Sequence, residues 1–238
     1  MQQLDQLINW VKDSKRIVFF GGAGVSTESG IPDFRSADGL YHQKFEYPPE
    51  QIISHSFFRR KTEYFFEFYR ERMLPLGYDP NITHLKLAQW EQEGKLLRVI
   101  TQNIDGLHQK AGTRLISELH GSILRNYCMD CGKSYSAEFI KFGTGIPRCT
   151  CGGIIKPDVV LYEESLDSDT IESSVAAIEQ CDMLIIAGTS LTVYPAAGLI
   201  NYYHGDRLVL INRDSTPLDY RADLVLHASL GNVFSQLP

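Results

Sequence analysis

The chain has 238 residues, 43% of them apolar and 22% charged, with a formal net charge of −6. That length suits one generous domain, or a core domain with a small insert, and the composition supports a sizeable buried core. The acidic balance lacks the basic footprint of a nucleic-acid binder, no run reaches the ~20 apolar residues of a membrane span, and Met1-Gln2-Gln3-Leu4-Asp5 lacks a secretory signal pattern, so a cytoplasmic protein is expected.

Leu4, Leu7, Ile8 and Val11 fall at helical spacing and predict an opening amphipathic helix. Residues 17–20 (Ile-Val-Phe-Phe) read as a buried strand ending in Gly21-Gly22-Ala23-Gly24, and a helix is expected after that loop. Pro48-Pro49 marks a loop. A helix then runs through 57–73, with Phe58, Thr62, Phe65, Tyr69 and Arg72 near one face. A short helix around 83–92 stops near Gly94 and leads into a strand at 97–100. From 121 to about 156 the periodicity fades, and cysteines and glycines cluster. Asp169 with Glu172 suggests a capping box for a helix carrying Ile171, Val175 and Ile178. Cys181 is expected to begin the next strand as a buried, inert thiol. That strand, at 183–186, ends in Gly188-Thr189-Ser190. Pro195 can open another helix and Gly205 end it. Strands at 208–211 and 224–226 complete the pattern.

Continuous apolar strands alternating with helices imply an α/β fold: a Rossmann-like, doubly wound parallel sheet covered on both faces. Ligands in such sheets bind beyond the carboxyl ends of the strands. The informative loops therefore follow Phe20, Ile100, Ile186 and Ile211. Residues 1–35, 81–120 and 157–238 are expected to build this nucleotide-binding part. A helical insert at 36–80 and a metal-binding insert at 121–156 form a smaller domain.

The glycines of the loop from Gly21 to Gly30 can let the backbone approach a pyrophosphate, although Gly22, Gly24 and Gly30 are farther apart than in G-x-G-x-x-G. A tight turn without a ligand would use the same residues. Asn103 and Asp105 follow a strand and can hold a ribose or an amide by hydrogen bonds, or merely stabilise a turn. His120, before Gly121, titrates near neutrality and can take a proton from a hydroxyl, or be structural. Cys128-x-x-Cys131 and Cys149-x-Cys151 are two pairs around a loop, and four thiolates suit one closed, structural zinc site. A redox role is the rival for the C-x-x-C, and it would not need the second pair.

Gly22-Ala23-Gly24-Val25-Ser26 through Ser29-Gly30-Ile31-Pro32-Asp33-Phe34-Arg35 resembles the cofactor-loop signature of the sirtuins. Thr101-Gln102-Asn103-Ile104-Asp105-Gly106-Leu107-His108, His120-Gly121 and Gly188-Thr189-Ser190-Leu191 with Val193-Tyr194-Pro195 resemble further sirtuin motifs, in family order and over nearly the whole chain. The resemblance implies an NAD-dependent protein-lysine deacetylase that yields nicotinamide, O-acetyl-ADP-ribose and free lysine. It implies NAD contacts from Gly22, Ala23, Gly24, Thr27, Phe34, Arg35, Gln102, Asn103, Ile104, Asp105, Gly188, Thr189 and Leu230, with Ser190 and Asn212 at the adenosine end. Asn103 and Asp105 would act near the departing nicotinamide, Phe34 would shield the sugar, and His120 would be the general base. The acetyl-lysine strand of a protein or peptide would lie between Val159, Val160 and Tyr162 on one side and Val193 and Tyr194 on the other.

One departure from the family pattern is Glu163, where many sirtuins have glycine. Tyr69 and Arg72 resemble a Tyr-x-x-Arg found in sirtuins that remove acidic acyl groups, and they equally suit a core aromatic and a solvated arginine. Removal of other acyl groups, ADP-ribose transfer to protein and an NAD-sensing scaffold are the competing functions. A monomer is expected.

Overall fold

The computed structural model describes residues 2–33 and 45–238. Among them, nine strands form two sheets. The larger contains β1 (Ile17–Gly21), β2 (Leu96–Thr101), β3 (Ile116–Glu118), β7 (Met183–Ala187), β8 (Leu208–Asn212) and β9 (Leu224–His227). The smaller contains β4 (Gly121–Cys128), β5 (Ser134–Tyr135) and β6 (Ile155–Val159).

The six strands run in the order β3-β2-β1-β7-β8-β9, and every neighbouring pair is parallel. The chain winds outward from β1 in one direction, then restarts on its other side at β7. The crevice between the carboxyl ends of β1 and β7 is therefore the topological switch point, where such sheets bind ligands. Both strands are buried along their whole length, which is why they read as unbroken apolar runs.

Alternate residues of β1 enter opposite cores. Ile17 and Phe19 pack with Leu7, Val11, Leu87, Trp90 and Phe234, from the helices Gln2–Asp13, Ile82–Gln92 and Leu230–Phe234. Val18 and Phe20 pack with Ile178, Leu199 and Ile200, from the helix Ser168–Gln180 and the 3-10 segment Ala196–Tyr202. A third cluster joins the helices at 55–68 to the smaller sheet through Phe57, Phe58, Phe65, Phe66, Ile123, Ile140 and Ile155. Phe58, Phe65 and Phe66 meet edge to face at 5.0–6.0 Å, and each such pair adds about 0.5–1.5 kcal/mol beyond its buried area.

Several local expectations need correction. Among the described residues, the glycine loop continues as two 3-10 turns, Ala23–Val25 and Thr27–Ser29, and not as an α-helix. The helix expected at 57–73 is broken at Lys61 into His55–Arg60 and Thr62–Phe68, and it ends in the π turn Tyr69–Met73. The cap of Ser168–Gln180 is Asp167, whose carboxylate accepts from Thr170 N–H, rather than Asp169 with Glu172. The stretch from 121 is an eight-residue strand. Its alternation is interrupted by a register shift against β6 between Ser122 and Asn126. Pro195 follows a cis peptide bond and precedes a 3-10 helix that stops at Tyr202, before Gly205. Cys181 caps the end of Ser168–Gln180, two residues before β7, and is a buried free thiol.

Candidate active site

Four loops meet over the switch point. The glycine loop leaves β1 and touches the loop leaving β7: Gly24 N–H donates to Gly188 O at 2.8 Å. A Cβ on Gly24 would lie 2.8 Å from Gly188 Cα, and Gly188 has φ +58°, so two glycines let these loops touch. Gln102, just after β2, donates from Nε2 to Thr189 Oγ1 at 3.1 Å and ties the third loop to the second. Asn212 ends β8 and donates from Nδ2 to Asp214 O at 2.9 Å.

Ser26 organises the centre. Asn103 Nδ2 donates to Ser26 Oγ at 3.0 Å, and Ser26 Oγ donates to Asp105 Oδ2 at 2.7 Å. Leu107 N–H donates to Asp105 Oδ1 at 2.9 Å. Burial raises the Asp105 carboxyl above its ordinary value, against the Ser26 and Leu107 hydrogen bonds. Asn81 braces the loop from behind. Its Nδ2 donates to Val25 O at 2.8 Å and to Ser29 Oγ at 3.0 Å, while its Oδ1 caps the helix Ile82–Gln92. Neither Ser26 nor Asn81 stood out in the sequence. A hydroxyl inside the glycine loop, and an asparagine opening a helix, were the available signals.

His120 lies between β3 and β4. Its Nδ1 is 3.0 Å from Gln102 O. A carbonyl only accepts, so Nδ1 carries the proton and Nε2 keeps a free lone pair. Burial lowers the imidazole below its ordinary value, partly offset by the Gln102 bond, so the neutral form dominates at pH 7. Gly121 must follow it: with φ +73°, any Cβ there would lie 2.0 Å from Asp158 O of the paired β6. On the other side, Val160 N–H donates to His120 O at 3.0 Å, which fixes the segment after β6 against the histidine.

One cavity of ≈ 1070 Å³ collects these groups. Gly22, Ala23, Gly24, Thr27, Gln102, Asn103, Ile104, Asp105, His120, Gly188, Thr189, Ser190, Asn212 and Leu230 all line it. So do Val159, Val160, Tyr162, Val193, Tyr194, Tyr69 and Arg72. Phe34 and Arg35 lie outside the described residues. Tyr69 is 1% exposed and its hydroxyl has no hydrogen-bond partner among the described residues. Burial holds that phenol well above its ordinary range. Arg72 pairs with Glu71 at 2.9 Å and its guanidinium lies 5.5 Å from the centre of the Phe45 ring.

The four cysteines predicted as metal ligands converge at the far end of the smaller sheet, with all Sγ atoms within 4.8 Å of one another. The Sγ–Sγ separations of 3.4, 3.5 and 3.6 Å are near the ~3.8 Å edge of a tetrahedron built on Zn–S bonds of ~2.3 Å. All four are free of disulfides, so the donor set fits one zinc ion with no position left for water.

Comparison with known proteins follows the same lines. A model of the Sir2 family matches residues 22–195. NAD-dependent protein deacetylase of Clostridium acetobutylicum is 58% identical, over 98% of this chain and 97% of its own. The protein of the same description in Clostridium perfringens is 56% identical, over 99% and 98%. Among solved structures, a Sir2 variant with deacetylated p53 peptide and 3′-O-acetyl ADP ribose superposes with a TM-score of 0.90 at 34% identity, over 98% of this chain and 96% of that one. A Sir2 complex with p53 peptide and NAD gives 0.87 at 35%, over the same shares.

Proposed function

The chain belongs to the Sir2 family, and from that premise we propose that it is an NAD-dependent protein-lysine deacetylase in which the residues of this cavity do the work. The observation that carries the reading is one cavity in which the switch-point loops, a neutral histidine and the segment 159–162 adjoin. The reaction converts NAD, acetyl-lysine and water to nicotinamide, O-acetyl-ADP-ribose and lysine.

The chain's own groups divide the task. The glycine loop, Thr27, Gln102, Ile104, Thr189, Ser190, Asn212 and Leu230 bind NAD. Phe34 and Arg35 belong to the same set, on the family pattern. NAD supplies a ribose carbon from which nicotinamide can leave. Asn103 and Asp105, locked together through Ser26, face that leaving group. His120 accepts a ribose hydroxyl proton at Nε2, with Nδ1 anchored on Gln102. The substrate peptide lies between Val159, Val160 and Tyr162 and the segment at Val193 and Tyr194. The zinc ion, held by Cys128, Cys131, Cys149 and Cys151, is structural.

We read residues 1–35, 81–120 and 157–238 as the NAD-binding part and 36–80 with 121–156 as the smaller one, supported by the separate sheets and the separate third cluster. A cytoplasmic monomer is the state this reading takes. Its support is the acidic composition, and no helix among the described residues is long and apolar enough to cross a membrane. The test is mass analysis of an acetyl-lysine peptide incubated with NAD. Equal amounts of nicotinamide, deacetylated peptide and O-acetyl-ADP-ribose are expected, and acetyl loss without NAD would contradict the reading.

A second acyl specificity is favoured by one observation: the Tyr69 hydroxyl, without a partner among the described residues, and Arg72 line the same cavity. A hydroxyl and a guanidinium can hold a carboxylate, which points to acidic acyl groups such as succinyl. Arg72→Ala is expected to lower the succinyl-to-acetyl ratio of kcat/KM roughly tenfold. An unchanged ratio removes this specificity.

A further inference from the structure

The loop after β6 is joined to the helix His55–Arg60 by three adjacent contacts. The first is a backbone bridge: His55 N–H donates to Tyr162 O at 2.9 Å, and Tyr162 N–H donates to Ile53 O at 3.0 Å. The second is Glu163, whose carboxylate accepts from Ser56 N–H at 2.8 Å and from Ser56 Oγ at 3.0 Å. The third is Glu164, which meets His55 Nδ1 at 2.8 Å, Lys156 Nζ at 3.1 Å and Leu161 N–H at 2.9 Å.

Glu163 sits at φ +74°, a left-handed backbone that a non-glycine residue adopts rarely and at a cost. Glycine would take this conformation without strain but has no side chain to reach Ser56. The glutamate accepts the strain and uses its carboxylate on an amide of the first helical turn, which lacks a partner within its own helix. The left-handed turn ends the extended run and brings Glu164 N–H back to Leu161 O at 3.0 Å. Val159, Val160 and Tyr162 immediately precede this clasp and line the cavity.

We propose that Glu163 is a positioning residue for the acyl-lysine peptide, because its bond to Ser56 locks the edge at 159–162 against the helix His55–Arg60 before substrate arrives. The inference rests on the reading that the peptide binds along that edge. It assigns Glu163 an effect on peptide affinity and none on NAD affinity, since the NAD-side loops are tied to one another without it.

The test combines steady-state kinetics with amide hydrogen exchange on wild type, Glu163→Ala, Glu163→Gly and Glu163→Gln. Alanine and glycine are expected to raise the KM for acetyl-lysine peptide roughly tenfold, with kcat and the KM for NAD within about twofold. Glutamine keeps one acceptor oxygen and should recover most of the loss. Exchange over 159–164 should quicken in the alanine variant while the six-stranded sheet stays protected. An unchanged peptide KM, or peptide and NAD constants rising together, would overturn the proposal. If wild type deacylates no peptide, the functional reading fails, and exchange alone decides the clasp: quickening at 159–164 supports it, and no change overturns it.

Discussion

At the scale of single residues, two buried histidines behave differently from His120. His84 and His108 lie with ring centres 4.7 Å apart, between the helices Ile82–Gln92 and Leu107–Lys110. His84 Nδ1 accepts from Asn81 N–H, and both nitrogens of His108 lack partners among the described residues. Burial pushes His84 down to about 4. It pushes His108 well below the ordinary range, helped by His84. Unfolded histidine titrates near ~6.5, so below that pH the unfolded chain binds more protons than the folded one. The stability these residues contribute is complete above ~6.5 and is lost as pH falls toward the folded value, at up to ~1.4 kcal/mol per pH unit for each histidine. Melting temperatures measured from pH 7.5 to 5 should therefore fall, and His108→Leu should flatten the slope. Parallel slopes would refute this assignment. Residues were legible in the sequence where chemistry and spacing coincided, as at His120, Asp105 and the cysteines. Ser26 and Asn81 were not, because their value lies in bonds to residues at least 52 positions away.

At the scale of elements, the strands were the easiest to read. β1, β7 and the first four residues of β8 are buried on both faces, so their sequences read as apolar runs. The elements that escaped are those whose form depends on distant neighbours. β4 carries a register shift between Ser122 and Asn126, which destroys a simple alternation. The glycine loop's sequence suggests a helix start, but its Gly24–Gly188 contact and its hydrogen bonds to Asn81 favour short 3-10 turns. The aromatic run at 57–73 has helical spacing throughout, and only the folded structure reveals the break at Lys61. Sequence periodicity reports which face is buried, and it is blind to interruptions that preserve that face.

At the scale of the whole molecule, the metal module supports the cavity from a distance. Lys141, in the helix Ala137–Lys141, donates to Arg70 O at 2.7 Å and Leu74 O at 3.1 Å, the carbonyls around the π turn that carries Tyr69 and Arg72. Arg70 answers with bonds to Ile140 O at 2.8 Å and Gly145 O at 2.6 Å. Losing the zinc should therefore loosen the cavity wall as well as the smaller sheet. One zinc per chain is expected by elemental analysis, and Cys151→Ser should lose it, lower the melting temperature and raise the peptide KM. A zinc-free variant with unaltered stability would refute a structural role for the metal.

In the proposed mechanism, one cavity couples NAD cleavage to deacylation through His120. Its most direct test is mass analysis of an acetyl-lysine peptide, with and without NAD, using wild type and His120→Ala. NAD-dependent acetyl loss by the wild type is expected, reduced at least ~100-fold by the substitution. Acetyl loss by His120→Ala at the wild-type rate, or none by the wild type, would contradict it.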